Sequence, residues 1–317
     1  MPLCRRAGVR CSPQRVIALL APGQGSQSPG MLTPWLDTPD AEATLARWSA
    51  AIDLDLHRLG TTADAEEIKD TAVTQPLVVA TALLAARRLD LPPGAPVAGH
   101  SVGELAAAAI AGVLDPDAAV ALAAVRGREM AAACALEPTG MSAVLGGNPD
   151  DVLATIERLG LDPANRNGAA QTVAAGPLPA LAELAEQKPE RSRVVPLPVA
   201  GAFHTRFMAP AEEALRTYAA SIVPNDPTRP LLSNADGSVV DSGAEALRRL
   251  VSQVTRPVRW DACMAMLGDL GVTAVIELPP AGALVGLVKR ELRGTATLAL
   301  KTPDDLEKAG VLIKEHA

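Results

Sequence analysis

The residues best suited to chemistry lie in the pentapeptide Gly99-His100-Ser101-Val102-Gly103. It fits G-x-S-x-G, the pattern of a nucleophilic serine on a sharp turn between a strand and a helix. The glycines fit because a tight elbow leaves no room for a Cβ atom and because glycine tolerates unusual backbone angles. The pattern predicts that Ser101 is a nucleophile, and a Gly/Ser turn that arose by chance is the alternative.

The neighbouring residues match the elements that such an elbow needs. Pro96-Val97-Ala98 is typical of a short buried strand, and residues 104–110 are typical of a helix. Because the main-chain N–H of Val102 opens this helix, it can donate a hydrogen bond to an oxyanion. The context therefore favours a catalytic serine.

A serine nucleophile needs a general base, and the chain has four histidines. His316 is next to last and is expected to fray. His100 adjoins the nucleophile, and neighbouring side chains on a strand end point apart. His57 lies among charged residues and is expected at the surface. We predict that His204 is the base, with a structural histidine as the alternative.

The acid of a conventional triad is not evident. An α/β-hydrolase has Asp or Glu between its serine and its histidine. Between Ser101 and His204 no acid follows a strand in a comparable loop. A backbone carbonyl can orient an imidazole instead. This departure argues against an ordinary esterase.

Arg126 lies on an otherwise apolar stripe of a predicted helix. The other members of this stripe are Ala119, Leu122, Met130 and Ala133. An arginine that faces the core needs an anionic partner or a path to water. We predict that Arg126 binds a substrate carboxylate through two parallel hydrogen bonds, and a snorkelling or salt-bridged arginine is the alternative.

A glycine-rich loop at residues 22–27, Pro-Gly-Gln-Gly-Ser-Gln, follows the first predicted strand. Sheets of α/β proteins bind ligands at the carboxyl ends of their strands. The loop lacks the G-K-[ST] ending of a phosphate-binding loop, so phosphate binding is not expected. Its backbone can supply a second oxyanion donor, and a plain turn is the alternative.

Strand and helix patterns alternate along the chain and predict an α/β fold with a mostly parallel sheet covered by helices. The predicted elements outside the elbow are strands at Val16–Ala21 and Val272–Leu278 and helices at Thr74–Leu89, Asp115–Cys134 and Ala281–Leu292. Thr74 is expected to cap the first of these helices. Residues 16–139 and 203–317 form the predicted large subdomain, and residues 1–15 a disordered extension.

Residues 140–202 show a β-α-β-β-α-β pattern, which is typical of a ferredoxin-like unit. Its predicted strands lie near residues 141–145, 165–167, 171–174 and 193–199, and its helices at 149–159 and 177–187. A cleft between this small unit and the large one is a natural ligand site.

Composition excludes several classes of protein. The net charge of −7 argues against a nucleic-acid binder. No apolar run reaches the ~18 residues that span a membrane, and the N-terminal residues lack the apolar core of a signal peptide. The four cysteines show no C-x-x-C spacing, so neither zinc nor a disulfide framework is indicated, and a reducing cytoplasm fits.

Five segments together resemble a known family. These are PGQGSQ at 22–27, GHSVGE at 99–104, RG at 126–127, AFH at 202–204 and RPVRW at 256–260. They occur in the order found in malonyl-CoA:acyl carrier protein transacylases and the related acyltransferase domains of fatty-acid and polyketide synthases. The resemblance runs from about residue 16 to residue 300. It implies a hydrolase-like α/β subdomain with a ferredoxin-like insertion.

The resemblance implies roles for the candidate residues. Ser101 would carry the acyl group, His204 would act as base and then as acid, and Arg126 would pair with the malonyl carboxylate. Gln24 and Val102 would donate the oxyanion N–H groups.

Further roles are also implied by the resemblance. The backbone carbonyl of Gln253 would orient the histidine. Asn165, Asn167 and Gln171 match a stretch of the small subdomain that lines the cleft. Phe203 matches members that select malonyl over methylmalonyl groups.

The implied function is transfer of malonyl from malonyl-CoA to the phosphopantetheine thiol of acyl carrier protein, for fatty-acid or polyketide synthesis. One thioester is exchanged for another, so no metal or redox cofactor is expected. The predicted partners are acyl carrier protein, malonyl-CoA and CoA; no nucleic acid or membrane is expected, and the chain is predicted to be monomeric.

A basic run at Lys289, Arg290 and Arg293 is a candidate contact for the carrier, with a solvated helix face as the alternative. A serine thioesterase and a non-catalytic carrier-docking protein are the rival classes.

Overall fold

The computed structural model describes residues 15–168 and 170–317. Residues 1–14 of the predicted extension lie outside this part of the chain. The strands are β1 Ile17–Ala21, β2 Val97–Gly99, β3 Thr139–Gly146, β4 Asp162–Arg166, β5 Gln171–Pro177, β6 Ser192–Pro196, β7 Leu231–Leu232, β8 Val239–Val240, β9 Ala274–Glu277 and β10 Ala296–Ala299.

Helices surround and connect these strands. They are α1 Pro39–Ile52, α2 Leu56–Thr61, α3 Thr71–Ala86, α4 Gly103–Ile110, α5 Pro116–Cys134, α6 Pro149–Arg158, α7 Leu178–Glu186, α8 Ala209–Ala219, α9 Gly243–Ser252, α10 Trp260–Asp269, α11 Ala283–Glu291 and α12 Leu306–His316. Among the described residues, none of the helices is long and apolar enough to cross a membrane.

The large sheet has the strand order β10-β9-β1-β2-β7-β8. Its pairs are parallel except β7 with β8, which is antiparallel. Strand β1 is buried along its whole length, as expected for a parallel strand covered by helices on both faces. The predicted α/β class with a parallel core is confirmed.

The small sheet has the order β4-β5-β3-β6 with antiparallel pairs throughout. Strands β3 to β6 alternate with helices α6 and α7 in the predicted β-α-β-β-α-β order. This is the ferredoxin-like arrangement. Strand β4 also bridges to the large subdomain, because Arg166 N donates to Val258 O at 2.9 Å and Val258 N donates to Ala164 O at 2.8 Å.

Two expectations about local structure are wrong. Helix α3 begins three residues before Thr74, because the Asp70 side chain accepts from Ala72 N and caps the helix there. Thr74 is buried and donates its hydroxyl to Ile68 O instead. His316 does not fray, since its Nδ1 lies 2.7 Å from Thr273 Oγ1 at the end of α12.

The elbow depends on close backbone approach at Gly103, and this gives a stability prediction. A Cβ atom there would lie 2.3 Å from Ala21 O on β1. We expect Gly103→Ala to lower the free energy of unfolding by about 1–3 kcal/mol, because the backbone of the elbow or of β1 must shift to admit the Cβ atom. Urea denaturation measures this. Gly310→Ala is the control, since a Cβ on Gly310 in α12 meets nothing within 4 Å. Equal stability of the two variants would contradict the prediction.

Candidate active site

Ser101 lies between β2 and α4 with a backbone φ of 54°, a left-handed conformation that is strained for a residue with a side chain. The turn is tight because a Cβ on Gly99 would lie 2.1 Å from the carbonyl of Gly103. Asn234, which follows β7, accepts from Ser101 N at 2.8 Å through its Oδ1. These contacts hold the serine hydroxyl at the carboxyl edge of the parallel sheet.

His204 is buried beside the candidate nucleophile, and its Nε2 lies 2.8 Å from Ser101 Oγ. Its Nδ1 lies 2.9 Å from the main-chain oxygen of Gln253. A carbonyl oxygen only accepts, so Nδ1 carries the hydrogen and Nε2 is free to accept the serine proton. Burial, and next the charge of Arg126, lower the pKa of His204 to about 3. The imidazole is therefore neutral near pH 7, as a general base must be.

Arg126 projects from α5 to the same point. Its Nη2 donates to Ser101 Oγ at 3.3 Å and to Gln253 Oε1 at 2.8 Å, and its Nη1 donates to Gln75 Oε1 at 2.7 Å. Only 2% of the residue is exposed. Burial lowers its pKa to about 10, so the guanidinium remains charged at neutral pH. Its amide partners are uncharged, and the Glu104 carboxylate acts on it without forming an ion pair among the described residues, so the guanidinium can bind an anionic ligand.

The four other residues of the predicted apolar stripe on α5 are buried with Arg126, as the sequence pattern predicts. Arg128, on the opposite side of the helix, keeps 64% of its side chain exposed. The arrangement therefore places one cation of α5 inside the protein and the other in water.

The two amides predicted to bind an oxyanion belong to Val102, which follows Ser101 in the chain, and to Gln24, which lines the same cleft as Ser101. Val102 N is at the start of α4, and Gln24 is in the loop after β1. Within the described part of the chain, neither N–H meets a hydrogen-bond acceptor. The Gln24 side chain points elsewhere, since its Nε2 donates to Thr71 Oγ1 at 3.1 Å.

A cleft of about 340 Å³ opens over Ser101 between the two sheets. Four residues predicted from the resemblance line it: Phe203, Asn165, Asn167 and Gln171. Asn167 Oδ1 lies 2.8 Å from His100 Nε2, so His100 connects the elbow to the small subdomain.

Gln171 Oε1 accepts from Arg290 Nη2 at 3.5 Å, which brings one member of the predicted basic run to the rim of the cleft. His57 is exposed, as expected.

Comparison with known proteins identifies the family of this chain. The model of the acyl transferase domain family matches residues 19–316. The chain belongs to this family. It is 61% identical to a malonyl CoA-acyl carrier protein transacylase of Mycobacterium bovis, over 92% of this chain and 99% of that protein. The described fold superposes on a crystal structure of MCAT from Mycobacterium tuberculosis with a TM-score of 0.90 and 58% identity, covering 93% and 99% of the two chains.

A third comparison concerns a solved complex. A malonyl-transacylase bound to a type II PKS acyl-carrier protein matches with a TM-score of 0.86 and 28% identity, over 93% of this chain and 98% of that one. These comparisons make the chain an acyltransferase of the mixed α/β type. Its parallel core and antiparallel insertion match the arrangement in these relatives.

Three polar residues of this acyltransferase site were missed by sequence reasoning: Gln75, Glu104 and Asn234. Glu104 is 4% exposed, and its Oε1 accepts from Asn234 N at 2.8 Å. Burial raises the pKa of Glu104 to about 7, although the hydrogen bonds from Asn234 and Gln253 and the charge of Arg126 each lower this pKa. Glu104 ends the GHSVGE segment and could have been singled out as a carboxylate inside an apolar helix. Nothing in the sequence marks Gln75 or Asn234.

Proposed function

We propose that this acyltransferase moves a malonyl group from malonyl-CoA to the phosphopantetheine thiol of an acyl carrier protein, through a malonyl ester on Ser101. The observation that carries the substrate assignment is the buried guanidinium of Arg126 within 3.3 Å of Ser101 Oγ. A thioester bound for attack places its α-substituent beside the nucleophile. A carboxylate on that substituent is the group that a buried guanidinium binds best.

The first half-reaction forms the ester. His204 Nε2 takes the Ser101 proton while Oγ attacks the thioester carbon. The main-chain N–H groups of Gln24 and Val102 would stabilise the oxyanion of the tetrahedral intermediate. The C–S bond then breaks, and His204 returns its proton to the departing CoA sulfur.

The second half-reaction reverses these steps with the carrier thiol as the nucleophile. The thiol gives its proton to His204, and its sulfur attacks the malonyl ester carbon. The C–O bond to Ser101 then breaks, and His204 returns the proton to Ser101 Oγ. Each half-reaction exchanges an acyl group between two nucleophiles, so the chemistry calls for no redox step and no cofactor. The Gln253 carbonyl holds the imidazole and stabilises the imidazolium, which replaces the acid of a conventional triad.

Acyl carrier protein is the proposed acceptor because the relatives carry it in their names and one is solved in complex with it. A monomeric enzyme of the cytoplasm is part of the same proposal. A thioesterase that uses water is less consistent with a chain that belongs to an acyl transferase family.

Intact-mass measurement tests the proposal. Malonyl-CoA alone should raise the mass of the protein by one malonyl group. Added holo acyl carrier protein should return the enzyme to its original mass, and the carrier should gain one malonyl group. Loss of the group to water at the same rate with and without carrier would favour the thioesterase. Absence of any acyl-enzyme would favour a non-catalytic docking protein.

Arg126→Ala separates malonyl recognition from general catalysis. Truncating one partner of a buried charge pair costs about 2–5 kcal/mol, and each 1.4 kcal/mol is about tenfold. We therefore expect kcat/KM for malonyl-CoA to fall by roughly 10² or more. Acetyl-CoA has no carboxylate and should be used as well as before, or better. Steady-state rates with both thioesters check this.

Arg128→Ala is the matched control, because it removes an exposed arginine from the same helix. It should change neither rate. A parallel fall with both thioesters in Arg126→Ala would mean that the arginine is structural, and the malonyl assignment would then rest on similarity to relatives alone.

A further inference from the structure

Glu104 is a buried carboxylate that the proposed mechanism does not use. Its Oε1 accepts from Asn234 N at 2.8 Å, and its Oε2 accepts from Gln253 Nε2. Among the described residues, no basic side chain pairs with it within 4 Å. Because an unpaired buried carboxylate is costly, its hydrogen bonds decide how it is tolerated.

The side chain of Gln253 connects Glu104 to Arg126. On one side, Gln253 Oε1 accepts from Arg126 Nη2 at 2.8 Å. On the other, its Nε2 donates to Glu104 and to two further acceptors at 3.2 Å, Ser101 O and Asn234 Oδ1. The amide therefore lies directly between a carboxylate and a guanidinium.

The direction of this amide follows from the hydrogen-bonding capacity of its neighbours. An ionised carboxylate only accepts, and a guanidinium only donates. The amide must turn its NH2 toward Glu104 and its oxygen toward Arg126. The reverse orientation would direct N–H groups at the guanidinium and an oxygen at the carboxylate, so both contacts would be lost.

We propose that Glu104 is a positioning residue for acyl-group specificity, which fixes the Gln253 amide so that its oxygen holds Arg126 beside Ser101. This inference rests on the proposed function, since it takes Arg126 as the partner of the malonyl carboxylate. The carboxylate acts through two side chains and touches no reacting atom.

Glu104→Gln tests this role while keeping the side-chain volume. The Asn234 N–H can only donate, so the new amide must keep its oxygen there and turn its NH2 toward Gln253. Gln253 can accept that hydrogen bond only by turning its own NH2 toward Arg126. The guanidinium then loses a partner and its position.

We expect Glu104→Gln to lower kcat/KM for malonyl-CoA by on the order of 10- to 100-fold, the usual effect of losing a hydrogen bond to a charged group. Most of this loss should appear in KM, because the carboxylate is bound alike in the ground state and the transition state. kcat/KM for acetyl-CoA should change by less than about threefold. Rates measured at about pH 8 keep the wild-type carboxylate mostly ionised, since its pKa is raised to about 7.

Two further variants make the test independent of how well Glu104→Gln folds. Gln253→Met removes the amide but keeps the main-chain oxygen that contacts His204, and it should show the same malonyl-specific loss. In the Gln253→Met background, Glu104→Gln should cost malonyl selectivity nothing more, because no amide remains to be turned. Asp117→Asn is the control, because it removes a half-exposed carboxylate from the first turn of α5. It should leave both rates unchanged.

Equal losses with malonyl-CoA and acetyl-CoA in Glu104→Gln would make the residue structural and overturn the inference. A malonyl preference that survives both Glu104→Gln and Gln253→Met would overturn this inference and leave the proposed function standing. A wild-type protein without any preference for malonyl over acetyl would overturn the proposed function together with it.

Discussion

Ser101→Ala should abolish the acyl-enzyme and lower the transfer rate by roughly 10⁴ to 10⁶. The reason is geometric, because the elbow presents one hydroxyl to the cleft, 2.8 Å from the candidate base. The two cysteines among the described residues do not substitute for it. Burial raises the pKa of the Cys134 thiol to about 11 and that of Cys263 still further, so neither supplies a thiolate at neutral pH.

Intact mass after addition of malonyl-CoA and the rate of carrier malonylation measure this effect together. Ser221→Ala is the control, since Ser221 is an exposed residue whose hydroxyl donates to Tyr218 O. Thermal melting should show that both variants fold. A malonyl adduct that persists in Ser101→Ala would place the nucleophile elsewhere.

His204→Ala should lower transfer by at least about 10⁴-fold, because a nucleophile and its base act as one catalytic unit. Without the imidazole, the Ser101 hydroxyl faces a buried guanidinium, which cannot accept its proton. His204 has a φ of 62°, and alanine is strained there. His204→Asn should therefore be measured as well, since asparagine tolerates this conformation and provides no base.

His57→Ala is the matched control, because His57 is exposed and lies outside the cleft. The same assay should separate the two models of how the base is oriented. With the Gln253 carbonyl on Nδ1, no Asp or Glu substitution should match the loss in His204→Ala. If a folded Asp or Glu variant other than Glu104→Gln lost as much activity as His204→Ala, a carboxylate-based triad would be the better model.

The sequence was sufficient where local backbone geometry decides the structure. Gly99 and Gly103 predict an elbow because any side chain there would collide with backbone. The α5 stripe predicts a buried Arg126 because helical periodicity determines which residues share a face. The βα alternation predicts the parallel sheet, the β-α-β-β-α-β pattern of residues 140–202 predicts the insertion, and the five family segments predict the transferase class.

The sequence failed where competing contacts outside the local pattern decide. The sequence predicts Thr74 as a helix cap, but Asp70 takes that role and α3 begins earlier. The divergence of neighbouring side chains correctly excludes His100 as the base, but it does not predict the contact of His100 with Asn167 of the small subdomain. His316 was predicted to fray from its position alone, but Thr273 holds it.

What the sequence alone determined is the inventory of chemical groups and the short segments that present them, because dihedral preferences and periodicity act over a few residues. What only the tertiary structure decided is which groups meet. Ser101 and His204 are 103 residues apart in the chain, and Gln253 and Glu104 are 149 apart. Such pairs are fixed by how the sheet, its helices and the inserted subdomain pack, and no local pattern records them. The amide of Gln253 has its direction because acceptors, the Glu104 carboxylate among them, lie on one side of it and a guanidinium lies on the other.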